Sequence, residues 1–299
     1  LSQRDRFNLE SDLFALFSAG RLSIVQLLQV VDACKVEQFY TVWADLLDNL
    51  AATIQVLVDQ LGLSQQWRSF VCQLCEPAFQ RCGGWDAQPG DGHDVALLRA
   101  ALIRALGLAG HPSVVAEARA RFARHCSGEC AIPADLRDSI YRTMLSNGGG
   151  PEFEAALDLM DKTDLQEEKD RIQRSLGSSR DPQLRQRVLQ LVVSGDKVRL
   201  QDSIYVLGSV SSASLESRRA TWRFIKCNWA WFQEKLRGQI LLSRLVQQDA
   251  EDIETFFQAN PLPSAERNIK QALENARLNA RVLAREGRNL ENFLAKFDA

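Results

Sequence analysis

Histidine is nearly missing from this chain, with 3 in 299 residues. His93 is followed by Asp94, His111 by Pro112 and His125 by Cys126, and no two are four apart. A catalytic zinc takes about three protein ligands and an open position. The helical H-E-x-x-H solution needs two His on one face, with Glu beside the first. Neither is here, so no metal site is expected in these residues. Long apolar runs are missing too: none approaches the roughly 20 residues that cross a bilayer. No signal-peptide pattern opens the chain. A charge excess is missing as well, with 36 basic against 38 acidic residues and a net charge of -2. That balance weighs against nucleic acid as a partner. Nor does any run alternate apolar and polar residues as a half-buried strand would.

What is present is an ordinary globular composition, 45% hydrophobic and 25% charged. The length suffices for one large core. The seven Cys are odd in number and lack the regular spacing of a secreted disulfide framework. Free thiols in a reducing, cytoplasmic compartment are the expectation.

Helical periodicity fills the chain. Leu9, Leu13, Leu16 and Phe17 follow 3.6-residue spacing, as do Val42, Leu46, Asn49–Leu50, Thr53–Ile54 and Leu57 in the long stretch 39–61. Ser64 is placed to cap a helix over 65–81, and Asp94 one that runs to about Gly107. Pro112 suits a first helical turn leading to Phe122. Pro133 opens a helix ending at Asn147, and Pro151 one ending at Lys162. Asp164 and Glu167 have capping-box spacing ahead of a helix that stops at Gly177. Asp181–Pro182 starts the next, which ends near Gly195. Helices are then expected over 198–210, 214–228, 239–248, 251–260 and 264–286.

The fold class that follows is all-α. Short loops between helices of similar length imply antiparallel neighbours. Many such pairs in one chain point to an α-solenoid, a superhelix of HEAT or armadillo type, whose concave wall suits extended ligands. The whole of 1–299 reads as a single helical-repeat domain.

Several stretches, taken in order, resemble a known family. They are Arg4–Gly20 (RDRFNLESDLFALFSAG), Tyr40–Leu46 (YTVWADL), Gly90–Arg99 (GDGHDVALLR) and Leu108–Phe122 (LAGHPSVVAEARARF). Ile132–Tyr141 (IPADLRDSIY), Leu165–Leu176 (LQEEKDRIQRSL), Trp222–Trp229 (WRFIKCNW) and Pro263–Arg267 (PSAER) continue the series. Together they are similar to the C-terminal helical domain of the gluzincin zinc aminopeptidases, the puromycin-sensitive members above all. The resemblance implies a bowl of paired helices that closes over an active site built elsewhere, limits substrate size and touches the far end of peptides. It implies zinc for a catalytic domain that has no counterpart in these residues: the zinc ligands, the G-A-M-E-N motif and the catalytic Tyr are missing. The expected partners are peptides and that catalytic domain, and this chain alone should not hydrolyse peptides. A free-standing helical scaffold for a protein partner is the competing expectation.

Five arginines flank the family-like stretches or helix starts: Arg6, Arg99, Arg137, Arg180 and Arg219. An arginine facing a cavity could hold a peptide carboxylate bidentately, or simply bridge helices. Relatives place a basic contact near Ser178–Arg180, where Ser178 takes the matching position. Cys72, Cys75 and Cys82, with His125, Cys126 and Cys130, invite a metal or redox reading, but lack the two tight pairs of a zinc site. Trp222, Trp229 and Trp231 with Phe224 and Phe232 read as core. Arg277, Arg281 and Arg285 form a basic stripe interleaved with acids, as on a solvated face.

Overall fold

The computed structural model describes residues 1–236 and 250–297. Among them are helices and turns, with no strand, so the chain is all-α. In order they are α1 (Gln3–Ser18), α2 (Ile24–Ala33), α3 (Tyr40–Asn49), α4 (Gln55–Leu61), α5 (Ser64–Arg81) and α6 (His93–Ala109). Then come α7 (Pro112–Cys126), α8 (Ala134–Asn147), α9 (Gly150–Lys162), α10 (Gln166–Leu176) and α11 (Pro182–Ser194). The last are α12 (Ser203–Ser212), α13 (Leu215–Cys227), α14 (Trp229–Leu236), α15 (Ala250–Ala259) and α16 (Glu266–Leu294). The helix expected over 239–248 lies outside the described residues.

The chain divides into two compact units. The first comprises Leu1–His125, Cys130–Thr143 and Arg281–Ala299. Its first two helices begin on sequence-encoded caps. Ser2 and Asp5 form a capping box for α1, and Ser23 and Gln26 one for α2. Gly62 and Gly110 end α4 and α6 with φ of 72° and 80°, a left-handed turn that costs glycine little. Phe17, Leu27, Trp43, Ile54, Phe70 and Leu102 are wholly buried in its core. Each such side chain contributes about 1.5–3 kcal/mol. Phe293, near the end of α16, meets Phe70 edge-on at 5.9 Å.

The second unit comprises Cys126–Glu129 and Met144–Ala280. Asp181 caps α11, accepting from the backbone N–H of Gln183 and Leu184, and Pro182 sets the first turn. Ser214 caps α13 through Ser217 N–H. At Gly177 an added Cβ would stand 1.9 Å from Ser209 Oγ, so only glycine lets α10 and α12 approach this closely. Of the expected aromatic core, Trp222, Phe224, Trp229 and Phe232 are buried, while Trp231 is half-buried against Phe232 at 5.0 Å; Trp222 and Trp229 also pack on Phe256 and Phe257 of α15.

Local departures from the sequence reading have physical causes. The stretch 39–61 is not one α-helix, because Leu50–Ile54 widens into a π-turn. Residues 42, 46, 50, 54 and 58 are all buried, a spacing of four that a 3.6-residue helix would rotate off its face. The wider turn restores it. Ser64 is not a cap, since Leu63 O already receives Trp67 N–H at 3.0 Å. Gly92 rather than Asp94 holds the cap of α6, and Asp94 sits in the first turn, where an acid suits the helix dipole. Asp164 forms no box: Leu165 is the cap of α10, and Glu167 is taken by Arg171 at 2.7 Å. Beyond Val198 a 3-10 turn delays α12 to Ser203, and α16 runs past residue 286 to Leu294.

Candidate functional site

The five arginines have distinct surroundings. Arg6 on α1 pairs with Glu37, Nε to Oε2 at 2.6 Å, and lies over the Phe39 ring. Arg99 on α6 is buried and holds the preceding loop. It donates to Gly84 O at 3.0 Å, to Cys82 O at 2.6 Å and to the Asp91 carboxylate. Arg137 donates from Nε to Ile132 O at 3.0 Å. These three belong to the first unit, and each binds groups of its own unit. Arg180 and Arg219 belong to the second. Arg180 is half-buried just before the α11 cap, and Arg219 is exposed at the start of the second turn of α13.

Around α11 and α13 the second unit gathers basic and hydroxyl groups that the sequence reading passed over. Arg185 is nine-tenths buried, and its NH1 donates to a hydroxyl, Ser217 Oγ, at 3.1 Å. Ser214 Oγ reaches the same oxygen at 3.0 Å. Arg218 is buried next in sequence, and Ser178 and Ser179 are buried in the turn before Arg180. Burying a guanidinium costs several kcal/mol unless a partner or ligand offsets it. Guanidinium groups, hydroxyls and two helix starts are the chemistry that receives carboxylates. The missed signal was Arg185 itself. It sits three and four residues before Val188 and Leu189, on the apolar face of α11, where solvent does not explain an arginine.

The histidines and cysteines serve other ends. His111 faces Glu76 at 3.6 Å. His125 Nδ1 accepts Ile132 N–H at 3.3 Å and its Nε2 lies 2.9 Å from Tyr141 OH. His93 is the first residue of α6. Cys75 is buried, while Cys72 and Cys82 are half-buried. Burial, with Glu76 nearby, pushes the Cys72 thiol up to about 11, and burial raises Cys75 and Cys82 too. The thiolate is the nucleophile and the metal ligand, so these are poor candidates for either role. Among the described residues no three His, Cys, Asp or Glu gather in reach of one ion. In the first unit a cavity of about 400 Å³ is lined by Gln29, Asp32, Lys35, Gln73, Phe293 and Lys296, with Lys35 held by Asp32. Among the described residues no single helix is long and apolar enough to cross a membrane.

These observations define an all-helical domain in which many charged groups pair within and between its own helices. Comparison with known proteins gives it a family. The profile of the ERAP1-like C-terminal domain matches residues 1–278, and the chain belongs to that family. It is 33% identical to aminopeptidase M1-A of Oryza sativa subsp. japonica, over 98% of this chain and 35% of that protein. It is 30% identical to aminopeptidase M1 of Arabidopsis thaliana, over 94% of this chain and 33% of that protein. The puromycin-sensitive aminopeptidase of Caenorhabditis elegans is 25% identical over 97% of this chain and 32% of its own length. The chain thus spans about a third of the curated relatives it matches. The resemblance carried by the collinear stretches is borne out.

Proposed function

We propose that this chain is the non-catalytic C-terminal domain of a zinc aminopeptidase, which caps the active-site cavity and helps bind and size-select peptides. The observation that carries the reading is the family match over nearly the whole chain, against relatives about three times as long. On this reading the catalytic domain is its partner and holds the zinc, peptides are its ligands, and hydrolysis needs both parts. A superhelix of helix pairs acting as one domain would supply the wall that faces the peptide. Closure of such a wall sequesters a site from water. The free thiols and the likeness to the puromycin-sensitive enzyme support a cytoplasmic setting.

Within this reading Arg180 and Arg219, beside the buried Arg185, are the first choices for a peptide carboxylate. The test joins this chain covalently to the catalytic part of a relative stripped of its own C-terminal domain. Turnover is then followed against peptide length. The cap reading expects a larger gain on longer peptides than on single-residue amides, and a smaller gain when Arg180 and Arg219 are both replaced by Ala. Equal turnover with and without this domain at every length would overturn it and leave the independent scaffold.

A further inference from the structure

Glu10 plays no part in that reading, yet it is the most anomalous acid in the first unit. It lies on α1 and is only 6% exposed, and neither carboxyl oxygen has a hydrogen-bond partner. The charged groups that act on it are Asp45 on α3 and Glu37 in the turn after α2, and Cys34 of that same turn senses Glu10 in return. Of the two guanidinium groups on its own helix, Arg4 and Arg6, Arg6 stands one turn earlier and is committed to Glu37, at 2.6 and 3.3 Å. Glu37 also accepts backbone N–H groups from Gln38 and Phe39 at 2.7 and 2.9 Å. Glu37 is therefore built to be an anion and Glu10 is not. A buried carboxylate without donors, beside two other acids, costs several kcal/mol, so the fold accepts Glu10 as the neutral acid.

We propose that α1 is a pH-released strap: neutral Glu10 lets α1 seat against α2 and α3, and ionised Glu10, facing Asp45 and Glu37, drives it off. Burial first, then Asp45 and Glu37, push the Glu10 carboxyl up to about 8 from an ordinary 4.5. Its folded value lies above its unfolded one, so seating is strongest below about 4.5. It weakens as pH rises from there to about 8, and is level above. Release also places two carboxylates in competition for Arg6, because Glu10 follows it by four residues on one helix face.

Hydrogen exchange of the intact chain between pH 5 and 9, corrected for the intrinsic exchange rate, tests this. Opening of 3–18 should rise by up to about tenfold per pH unit, one proton's worth, and level off near pH 8. In Glu10→Gln that rise should vanish, while 64–81 stays flat in both proteins. The same slope in Glu10→Gln, or an equal slope in 64–81, overturns the proposal. If Glu10→Gln does not fold, Asp45→Asn replaces it. Removing that charge should move the levelling point to lower pH, and an unmoved levelling point overturns the proposal equally.

Discussion

Glu286 of α16 caps a helix that begins 262 residues earlier: its Oε2 accepts the backbone N–H of Ile24, the first residue of α2, at 3.2 Å. A helix start leaves four N–H groups without intrahelical acceptors. Ser23 satisfies that of Gln26, and Glu286 takes one that no local side chain reaches. Its charge also faces the positive end of the α2 dipole. Burial opposes its ionisation, but donation from Asn289, Ile24 and Arg285 outweighs this and holds its carboxyl below the ordinary value. Glu286→Ala should therefore lower unfolding stability by about 1–2 kcal/mol. The folded value is depressed, so this contribution is complete above about pH 4.5 and is lost as pH falls through the folded value. Urea melts at pH 7 and at pH 3.5 should show the wild-type advantage shrinking at the lower pH.

Gly107 of α6 has no room for a side chain. A Cβ there would stand 1.9 Å from Thr143 Oγ1 and 2.7 Å from its Cγ2 on α8. Thr143 cannot easily turn away, because its hydroxyl donates to Ser139 O at 2.7 Å. Gly107→Ala gains about 1 kcal/mol of helix propensity and still should lose about 1–3 kcal/mol net through overpacking. In a Thr143→Ala background the same substitution should cost less, though Cβ of residue 143, 2.8 Å away, still presses on it. A denaturation cycle over the four proteins reads that coupling directly, and additivity within about 0.5 kcal/mol would show that the two helices do not meet here.

Much of the helical order was legible because local chemistry encodes it. Asp181–Pro182 starts α11, Gly195 stops it with φ of 73°, and Ser214 caps α13. What the sequence hides is contact between distant elements. Nothing near Ile24 announces Glu286, and nothing near Gly107 announces Thr143. The π-turn at Leu50–Ile54 was readable in principle, from apolar residues spaced by four rather than by 3.6. Chemistry was less legible than fold. Arg99 was among the arginines offered for a peptide carboxylate, yet its guanidinium holds carbonyls of the loop before α6. Arg185, hidden on an apolar helix face, was overlooked because charge was sought near helix starts.

Thiol chemistry should follow burial. Burial raises Cys34 and Cys72 to about 11, with nearby acids adding to it, and lifts Cys75 further. Cys130 and Cys227 are exposed. Iodoacetamide at pH 7.5 should therefore alkylate Cys130 and Cys227 first. Cys75 should react only on unfolding, and Cys34 and Cys72 should lag by at least about tenfold, as thiolate fraction dictates. Peptide mass spectrometry over a time course ranks the sites. Early alkylation of Cys75 in the folded chain would contradict the packing of α5.

Arg99 ties the two ends of the loop between α5 and α6 together. Arg99 is 3% exposed, and its guanidinium joins Cys82 O and Gly84 O at the start of the loop to Asp91 near its end. Lysine keeps the charge but has one ammonium in place of a planar fork, so it cannot serve all three acceptors in this geometry. Arg99→Lys should cost about 1–3 kcal/mol, as buried carbonyls lose their donor. Arg99→Met should cost more, about 3–5 kcal/mol, because Asp91 loses its counter-charge as well. Restoring neutrality with Asp91→Asn in the Arg99→Met chain should recover part of that loss. Asp91→Asn alone should destabilise, since the Asp91 carboxylate, bonded by the Gln88 backbone and by Arg99, is held below its ordinary value. Limited proteolysis at 82–92 gives a second readout, with cleavage rising in the order wild type, Arg99→Lys, Arg99→Met. Equal cleavage of all three would mean the loop is ordered by something other than this guanidinium.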